Sequence, residues 1–235
     1  MGTIKGSRKK RFQYVTILAL GFIGIFVFLT LVSNRFYMGA SFLVMAASFL
    51  PFMITFERRP LAARELVMIA VLAAVAAISR IPFASIPSVQ PTTFVIIMAG
   101  LVFGGKTGFV VGAMAAFVSN LFLGQGPWTP WQMYAWGFIG LCSGLFKKQT
   151  VRTKPIPLAV FGFVAGILFG WLMNLWIVVG ILRNFEWSEF LALYAASFYF
   201  DLAHGLTTAF LLLAFAKRWI KILGRFQRKY GLLEG

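Results

Sequence analysis

Residues 158–182 read LAVFGFVAGILFGWLMNLWIVVGIL, a run of 25 positions without a charged side chain. A helix of about 20 apolar residues is long enough to cross the hydrocarbon core of a bilayer. Hydrocarbon offers no partner for an unpaired backbone amide, so such a segment must be helical. The run therefore predicts a transmembrane helix, and similar apolar runs occur in the rest of the chain.

Seven further apolar stretches accompany this one. In chain order the eight are residues 14–33, 36–56, 61–79, 92–103, 109–123, 131–146, 158–182 and 190–216. The fourth, fifth and sixth are shorter than a full span, which predicts that they end inside the protein. A chain with 60% hydrophobic and 12% charged residues has too little polar surface for a soluble globule. The sequence thus predicts an all-α, polytopic membrane protein.

The basic residues divide the loops into two classes. When loops are assigned alternately to two sides, 19 of the 22 Lys and Arg fall on one side, and only Arg35, Arg80 and Arg183 fall on the other. Short loops rich in Lys and Arg are retained in the cytoplasm. We therefore expect a cell-membrane protein with both termini cytoplasmic and with loops 80–91, 124–130 and 183–189 outside. The net charge of +16 then indicates contact with anionic headgroups instead of nucleic acid.

Composition shifts divide the chain into four segments. We expect a basic cytoplasmic N-terminus at 1–13, a transmembrane hairpin at 14–56, a six-helix core at 61–216 and a basic cytoplasmic tail at 217–235. The first stretch has 20 apolar residues and no small-residue cleavage site after it, so it predicts a retained anchor helix and not a secretion signal.

Glycines recur at four-residue spacing in two of the stretches, and this spacing favours close helix packing in lipid. They are Gly162, Gly166 and Gly170 in the seventh stretch and Gly140 and Gly144 in the sixth.

Cys142 is the only cysteine, so a disulfide framework is excluded and a small core residue is expected.

Residues 100–107 read GLVFGGKT and match the phosphate-binding Walker A pattern letter for letter. That loop needs a preceding strand and a following helix N-terminus in water. Here the segment follows one membrane helix and leads directly into another. We therefore predict a tight cytoplasmic turn in which Lys106 is a retained positive charge.

The loop at 124–136 reads GQGPWTPWQMYAW and carries no charge, two prolines, three tryptophans and two glutamines. Trp and Tyr collect at membrane interfaces regardless of function, but an interfacial belt needs neither paired prolines nor glutamines. Rigid aromatic faces with a few amides favour a pocket for a large, mostly neutral molecule. The candidate substrate-binding residues are Arg80, Gln90, Gln125, Trp128, Trp131, Gln132, Trp136 and Arg183. For Arg80, snorkelling to headgroups is an equal alternative.

Asp201 lies eleven residues into the last stretch, about 16 Å along a helix, and hence near the bilayer midplane. His204 follows at i+3 on the same face, so a structural Asp–His hydrogen bond is the favoured interpretation. A proton relay or a ligand contact is the alternative. With one histidine in the chain, a metal site is not expected.

From Arg64 onward the chain resembles the substrate-binding S component of an energy-coupling factor (ECF) vitamin transporter. The motifs are RELVMIAVLAA at 64–74, PTTF at 91–94 with AGLVFG at 99–104, and SNLFLGQGPWTPWQM at 119–133 with AWG at 135–137. The resemblance implies a six-helix fold, a substrate pocket on the outer face that includes Asn120, and no covalent chemistry. It also implies an ECF module as partner, consisting of a membrane coupling protein and two ATP-hydrolysing subunits, and no cofactor.

Within that family, small residues spaced AxxxA on the first core helix let the coupling protein approach. Ala70 with Ala74, and Ala73 with Ala77, fit this pattern, although ordinary helix packing would use the same spacing. The hairpin at 14–56 exceeds the family's six helices. The tryptophan-rich loop resembles that of S components assigned to cobalamin, which implies cobalamin or a related bulky heterocycle. Other vitamins and queuosine precursors remain open.

Two rival functions use Asp201 and His204. A stand-alone proton-coupled carrier would need both residues for proton transfer. A membrane-embedded enzyme would use them as acid and base, but no nucleophile or metal-ligand cluster supports it. The sequence therefore predicts a non-enzymatic S component of an ATP-driven importer.

Overall fold

The computed structural model describes residues 62–126, 128–147, 154–180 and 186–232, without the side chains of residues 179 and 180. Within these ranges the chain forms six α-helices: α1 Ala63–Ile78, α2 Pro91–Phe103, α3 Gly105–Leu123, α4 Trp128–Ser143, α5 Pro155–Gly180 and α6 Trp187–Tyr230. Two short 3₁₀ turns follow α1 and α4, at Ile81–Phe83 and Gly144–Phe146. The predicted all-α class is confirmed. Three predicted features, the N-terminus at 1–13, the hairpin at 14–56 and Arg183, lie outside the described residues.

Four helical segments in the described part are long and apolar enough to cross a membrane: Ala63–Phe83, Gly105–Leu123, Pro155–Val178 and Trp187–Tyr230. By contrast, α2 has 13 residues and is only about 20 Å long. The prediction that the fifth stretch is too short was wrong, because α3 has 19 residues. Its first turn contains Lys106 and three non-hydrophobic neighbours, which end the apolar pattern but not the backbone hydrogen bonding.

α2 lies at the centre of the bundle. Every residue from Thr92 to Phe103 is buried, and the helix packs against each of the other five. A helix that is apolar on all sides is expected in such a position. Pro91 occupies its first turn, where a missing backbone N–H costs nothing.

A single residue, Gly104, joins α2 to α3 with a φ of 104°. Residues with a side chain are strained in that region, so glycine is required for this tight turn. The Walker-like segment is therefore helix, glycine and helix, and the tight turn predicted in place of a phosphate-binding loop is confirmed. Gly124, with a φ of 103°, ends α3 in the same way.

Glycine contacts bring two helix pairs unusually close, as their spacing predicted. A Cβ added to Gly108 or Gly140 would meet the backbone of the other, so α3 and α4 touch through their main chains. A Cβ on Gly166 would lie 2.6 Å from the Cα of Gly205, and one on Gly170 would collide with the carboxylate of Asp201. The antiparallel pair α5 and α6 is therefore packed just as closely.

The bundle has two ends, which we name by residues. The Arg80 end comprises loop 79–90, residues 124–126 with the first turn of α4, and the first turns of α6. The Lys106 end comprises Gly104, the first turn of α3 and residues 144–147, where the Lys147 ammonium donates to the carbonyl of Phe103 at 3.3 Å. The polar side chains discussed below gather at the Arg80 end.

α6 continues to Tyr230, fourteen residues beyond the predicted end of the last stretch. Lys and Arg end the apolar run after residue 216, but both are good helix formers, so the backbone stays helical. Gly231, in the left-handed region with a φ of 57°, terminates the helix. Trp219 packs edge-on against Phe94 of α2, with ring centroids 5.1 Å apart, and so ties this extension to the bundle.

Candidate functional site

Arg80 follows α1 and turns toward α3 and α4. Its Nη1 donates to Ser119 Oγ at 2.9 Å and to Asn120 Oδ1 at 2.6 Å. Its guanidinium carbon lies 5.3 Å from the centre of the Trp136 ring. These partners are buried within the bundle, so the side chain is directed inward and does not take the snorkelling conformation that the sequence left open.

Asn120 is the centre of the network below Arg80. Its side-chain oxygen accepts from Arg80, while its Nδ2 donates to Thr129 Oγ1 at 3.0 Å and to Gln132 Oε1 at 2.7 Å. The backbone N–H of Gly126 also donates to Thr129 Oγ1, at 3.2 Å. Asn120 is only 1% exposed, and a buried amide of this kind must be hydrogen-bonded. The network fixes the end of α3 to the start of α4.

α4 begins at Trp128, three residues before the predicted stretch. Trp128, Thr129 and Pro130 therefore belong to the first turn of a helix and not to a loop. Helical spacing then places Thr129 and Gln132 on one face, toward Asn120. The partly buried ring of Trp128 lies 6.0 Å from that of Trp176 on α5.

Trp136 lies beneath Arg80 and has no exposed surface. Its Nε1 donates to Thr93 Oγ1 at 2.9 Å, and Phe169 stacks on it with ring centroids 4.7 Å apart. Thr93 Oγ1 is also hydrogen-bonded to His204 Nε2 at 2.7 Å, with the direction set by the imidazole tautomer. The Trp136 ring is thus in contact with Arg80 and Phe169 of this chain and is fully buried.

Asp201 belongs to a separate network between α5 and α6. Ser197 Oγ donates to Asp201 Oδ2 at 3.0 Å and itself accepts from Asn174 Nδ2 at 2.6 Å. The predicted Asp201–His204 hydrogen bond was wrong. The two side chains share a helix face, but the imidazole is held by Thr93 on α2 and the carboxylate faces Gly170 on α5.

The predicted substrate-binding residues fall into two layers at the Arg80 end. Arg80, Gln90, Gln125 and Trp128 are partly or fully exposed, whereas Asn120, Trp131, Gln132 and Trp136 are buried below them. The exposed amide of Gln125, which follows α3, donates to the carbonyl of Phe117 on that helix at 3.0 Å.

Several network members were not predicted from the sequence. They are Thr93, Ser119, Thr129, Phe169 and Trp176. The two threonines and the serine lie in the quoted motifs PTTF and SNLFLGQGPWTPWQM, which was the available signal. Phe169 and Trp176 carried no signal beyond being aromatic residues in an apolar run.

The family of this chain is shown by a match to a known family profile. A family profile described as ECF-type riboflavin transporter, S component, matches residues 61–220, which is more than half of the chain. The chain belongs to this family of ECF S components. It is accordingly a multi-pass membrane protein, and the family to which it belongs comprises S components of ECF-type transporters. The family consists of transporter components and not of enzymes.

Similar curated proteins carry no functional description in their names. This S component is 33% identical over 103 residues to a UPF0397 protein of Aliivibrio salmonicida, covering 42% of this chain and 56% of that protein. It is 32% identical over 117 residues to a UPF0397 protein of Vibrio atlanticus, covering 46% and 64% respectively. The chain therefore spans less than two thirds of the length of these relatives. No solved structure matches it. The implied cobalamin-type branch gains no support from these comparisons.

The two alanine pairs on α1 of this S component point in different directions. Ala70 and Ala74 are exposed on the outer surface of the bundle, whereas Ala73 and Ala77 are buried against neighbouring helices. Only the first pair therefore presents small side chains to another molecule. Beside it, Val71 is 51% exposed, so the accessible face is apolar.

Proposed function

We propose that this S component captures a ring-containing vitamin at its Arg80 end and releases it inward when the ECF module hydrolyses ATP. In this proposal the Arg80 end faces outward and both termini are cytoplasmic. The observation that carries it is the hydrogen-bonded set of Arg80, Asn120, Thr129 and Gln132. Polar groups cost free energy inside a membrane protein, and they are retained mainly where they bind or move a solute.

We place the flavins, riboflavin and its 5′-phosphate, first among the substrates. The family description names riboflavin, and the partly buried aromatic pair of Trp128 and Trp176 at the Arg80 end suits contact with a planar heterocycle. Cobalamin is the second candidate, because the tryptophan-rich loop resembles that of S components assigned to cobalamin. The two ligands differ in absorbance and size, so competition between them is measurable.

Equilibrium binding to the purified protein in detergent tests the site. We expect tight binding of riboflavin, measured by quenching of its fluorescence, and at least tenfold weaker binding after Trp128→Ala or Gln132→Ala. Trp128 would lose a stacking face, while Gln132→Ala would free the Asn120 amide that helps to orient Arg80. Trp171→Ala is the matched control, since that ring is 50% exposed on α5 and lies outside the network. Unchanged affinity in both site variants, for riboflavin and for cobalamin, would contradict the assignment.

Docking of the ECF module is proposed to use the face of α1 that carries Ala70 and Ala74. Small residues let the backbone of a partner helix approach closely in lipid, where van der Waals packing drives association. Uptake by proteoliposomes should therefore require the module and ATP. The rival stand-alone carrier predicts uptake without the module, and predicts that Asp201→Asn abolishes it.

The orientation can be tested at Gln125, which is exposed at the Arg80 end. A Gln125→Cys variant in a Cys142→Ala background should react with a membrane-impermeant maleimide in intact cells. Reaction only after the cells are broken open would reverse the proposed sidedness.

A further inference from the structure

We infer that the substrate presents an anionic oxygen group, a carboxylate or a phosphate, to the guanidinium of Arg80. This inference rests on the proposed function and adds the charge of the substrate to it. It departs from the mostly neutral ligand that the uncharged loop 124–136 suggests, because it places one negative group at one edge of an otherwise neutral ring system.

The first argument is the missing counter-charge. In the described part of the chain Arg80 forms no ion pair with any of the four carboxylates, and its hydrogen-bond partners are neutral. Glu65 accepts from the backbone N–H of Ala62 at the start of α1, and Asp201 accepts from Ser197. Glu186 and Glu189 lie at the start of α6, at the Arg80 end, but both side chains are exposed and neither pairs with Arg80. A partly buried cation without a counter-ion is costly, and an anionic ligand would remove that cost.

The second argument is how the guanidinium is presented. Nη1 is held by two neutral oxygens, from Ser119 and Asn120, and within the described residues Nη2 and Nε have no partner. A guanidinium with free donors on one edge can form two parallel hydrogen bonds to a carboxylate or phosphate. Trp136 lies under the guanidinium and is itself fixed by Thr93 and Phe169. The cation is therefore oriented before any ligand arrives.

A third observation concerns Gln90, which immediately precedes α2. Its Oε1 is buried and has no donor among the described residues. Because an unsatisfied buried acceptor is costly, this oxygen calls for an N–H or O–H from a bound molecule. Thr93, three residues later, bonds to the Trp136 indole beneath Arg80. The Arg80 end thus carries free donors on Arg80 and an unpaired acceptor on Gln90, which suits a substrate with an anionic group and a separate hydrogen-bond donor.

Matched pairs of vitamins that differ in one charge test the inference. We would titrate the purified full-length protein, in detergent and in nanodiscs of zwitterionic lipid, with riboflavin and riboflavin 5′-phosphate, nicotinamide and nicotinate, and biotinamide and biotin. A charge-assisted hydrogen bond lost at Arg80 corresponds to about 10- to 100-fold in affinity. We expect one anionic member to bind more tightly than its neutral partner by a factor in this range. The preference should fall as ionic strength rises.

Variants separate the role of Arg80 from folding. Arg80→Gln should abolish the preference, and Arg80→Lys should retain part of it, because Lys keeps the charge without the planar fork. Asn120→Asp should also weaken anion binding by supplying an internal counter-charge where Oδ1 now accepts from Arg80. Arg225→Gln, an exposed charge on the α6 extension, is the matched control and should leave every affinity unchanged.

The outcomes distinguish this inference from the proposed function. Tight binding of a neutral member with an equal affinity for its anionic partner, unaffected by Arg80→Gln, would overturn the inference and leave the proposed function standing. Binding of none of the six compounds, or of cobalamin, would overturn both. Retention of an anionic phospholipid that Arg80→Gln releases, without any response to the soluble pairs, would show that Arg80 binds a headgroup and would also overturn the substrate assignment.

Discussion

Replacing Asn120 with alanine is the most direct test of the buried network. Asn120 accepts one hydrogen bond from Arg80 and donates one each to Thr129 and Gln132. Alanine would remove all three bonds and leave a small cavity where the amide now fits. Because Asn120 is 1% exposed, water has little access to replace the missing partners.

The loss of stability can be bounded from the free energies of hydrogen bonds in soluble proteins and in membrane proteins. In soluble proteins a neutral hydrogen bond contributes about 1 kcal/mol and one to a charged group about 1.5–3 kcal/mol, which gives about 4 kcal/mol for these three. In a membrane protein the average is nearer 0.6 kcal/mol for each bond, or about 2 kcal/mol in total. The network lies at the end of the bundle and carries one charge, so we expect a loss of about 2–4 kcal/mol in the free energy of unfolding.

Unfolding in mixed micelles with increasing SDS, followed by tryptophan fluorescence, measures this loss. Ser143→Ala is the control, because Ser143 is equally buried but donates only to the carbonyl of Gly140 three residues earlier. It should cost less than about 1 kcal/mol. A double-mutant cycle with Arg80→Gln isolates the Arg80–Asn120 bond. If Asn120→Ala costs no more than the control, or if the cycle shows no coupling, the network does not stabilise the Arg80 end as argued.

Three further predictions concern other parts of the molecule. Gly166→Ala would push α5 and α6 apart, because its Cβ would lie 2.6 Å from the Cα of Gly205. It should lower the free energy of unfolding by about 1–3 kcal/mol in the same SDS assay. An unchanged unfolding midpoint would contradict the close contact. Ala74→Leu should weaken the affinity of the protein for the ECF module at least tenfold without changing its affinity for the vitamin. Val164→Leu, on the exposed face of α5, is the control and should change neither affinity. Equal module affinity of the Ala74→Leu variant and the unaltered protein would exclude the α1 face. Asp201→Asn keeps an acceptor for Ser197 and should preserve module-driven uptake within about twofold. Loss of that uptake would favour the rival carrier.

The helices were predictable from the sequence because lipid imposes a simple rule. A backbone in hydrocarbon must be helical, so apolar runs of sufficient length mark the helices almost directly. The close contacts at Gly140, Gly166 and Gly170 were also predicted from glycine spacing, whereas their partners Gly108 and Gly205 were not. Helix ends were less predictable. Polarity ends an apolar run but not a helix, so the first turn of α3 and the extension of α6 beyond residue 216 were missed.

The sequence predicted which segments form the site, but not which of their side chains are buried. Prolines, tryptophans and amides in one loop indicated where a ligand could bind, and the structure gathers Trp128, Gln132 and Trp136 at the same end of the bundle as Arg80. Composition cannot show which face of an aromatic ring remains free, however. The Trp136 ring has Phe169 stacked on it, lies below Arg80 and has no exposed surface, so it orients the cation and offers no surface to a ligand in this state. On the inference that Arg80 binds an anionic group, recognition depends less on the number of tryptophans than on the Arg80 guanidinium, which Ser119, Asn120 and Trp136 hold in position.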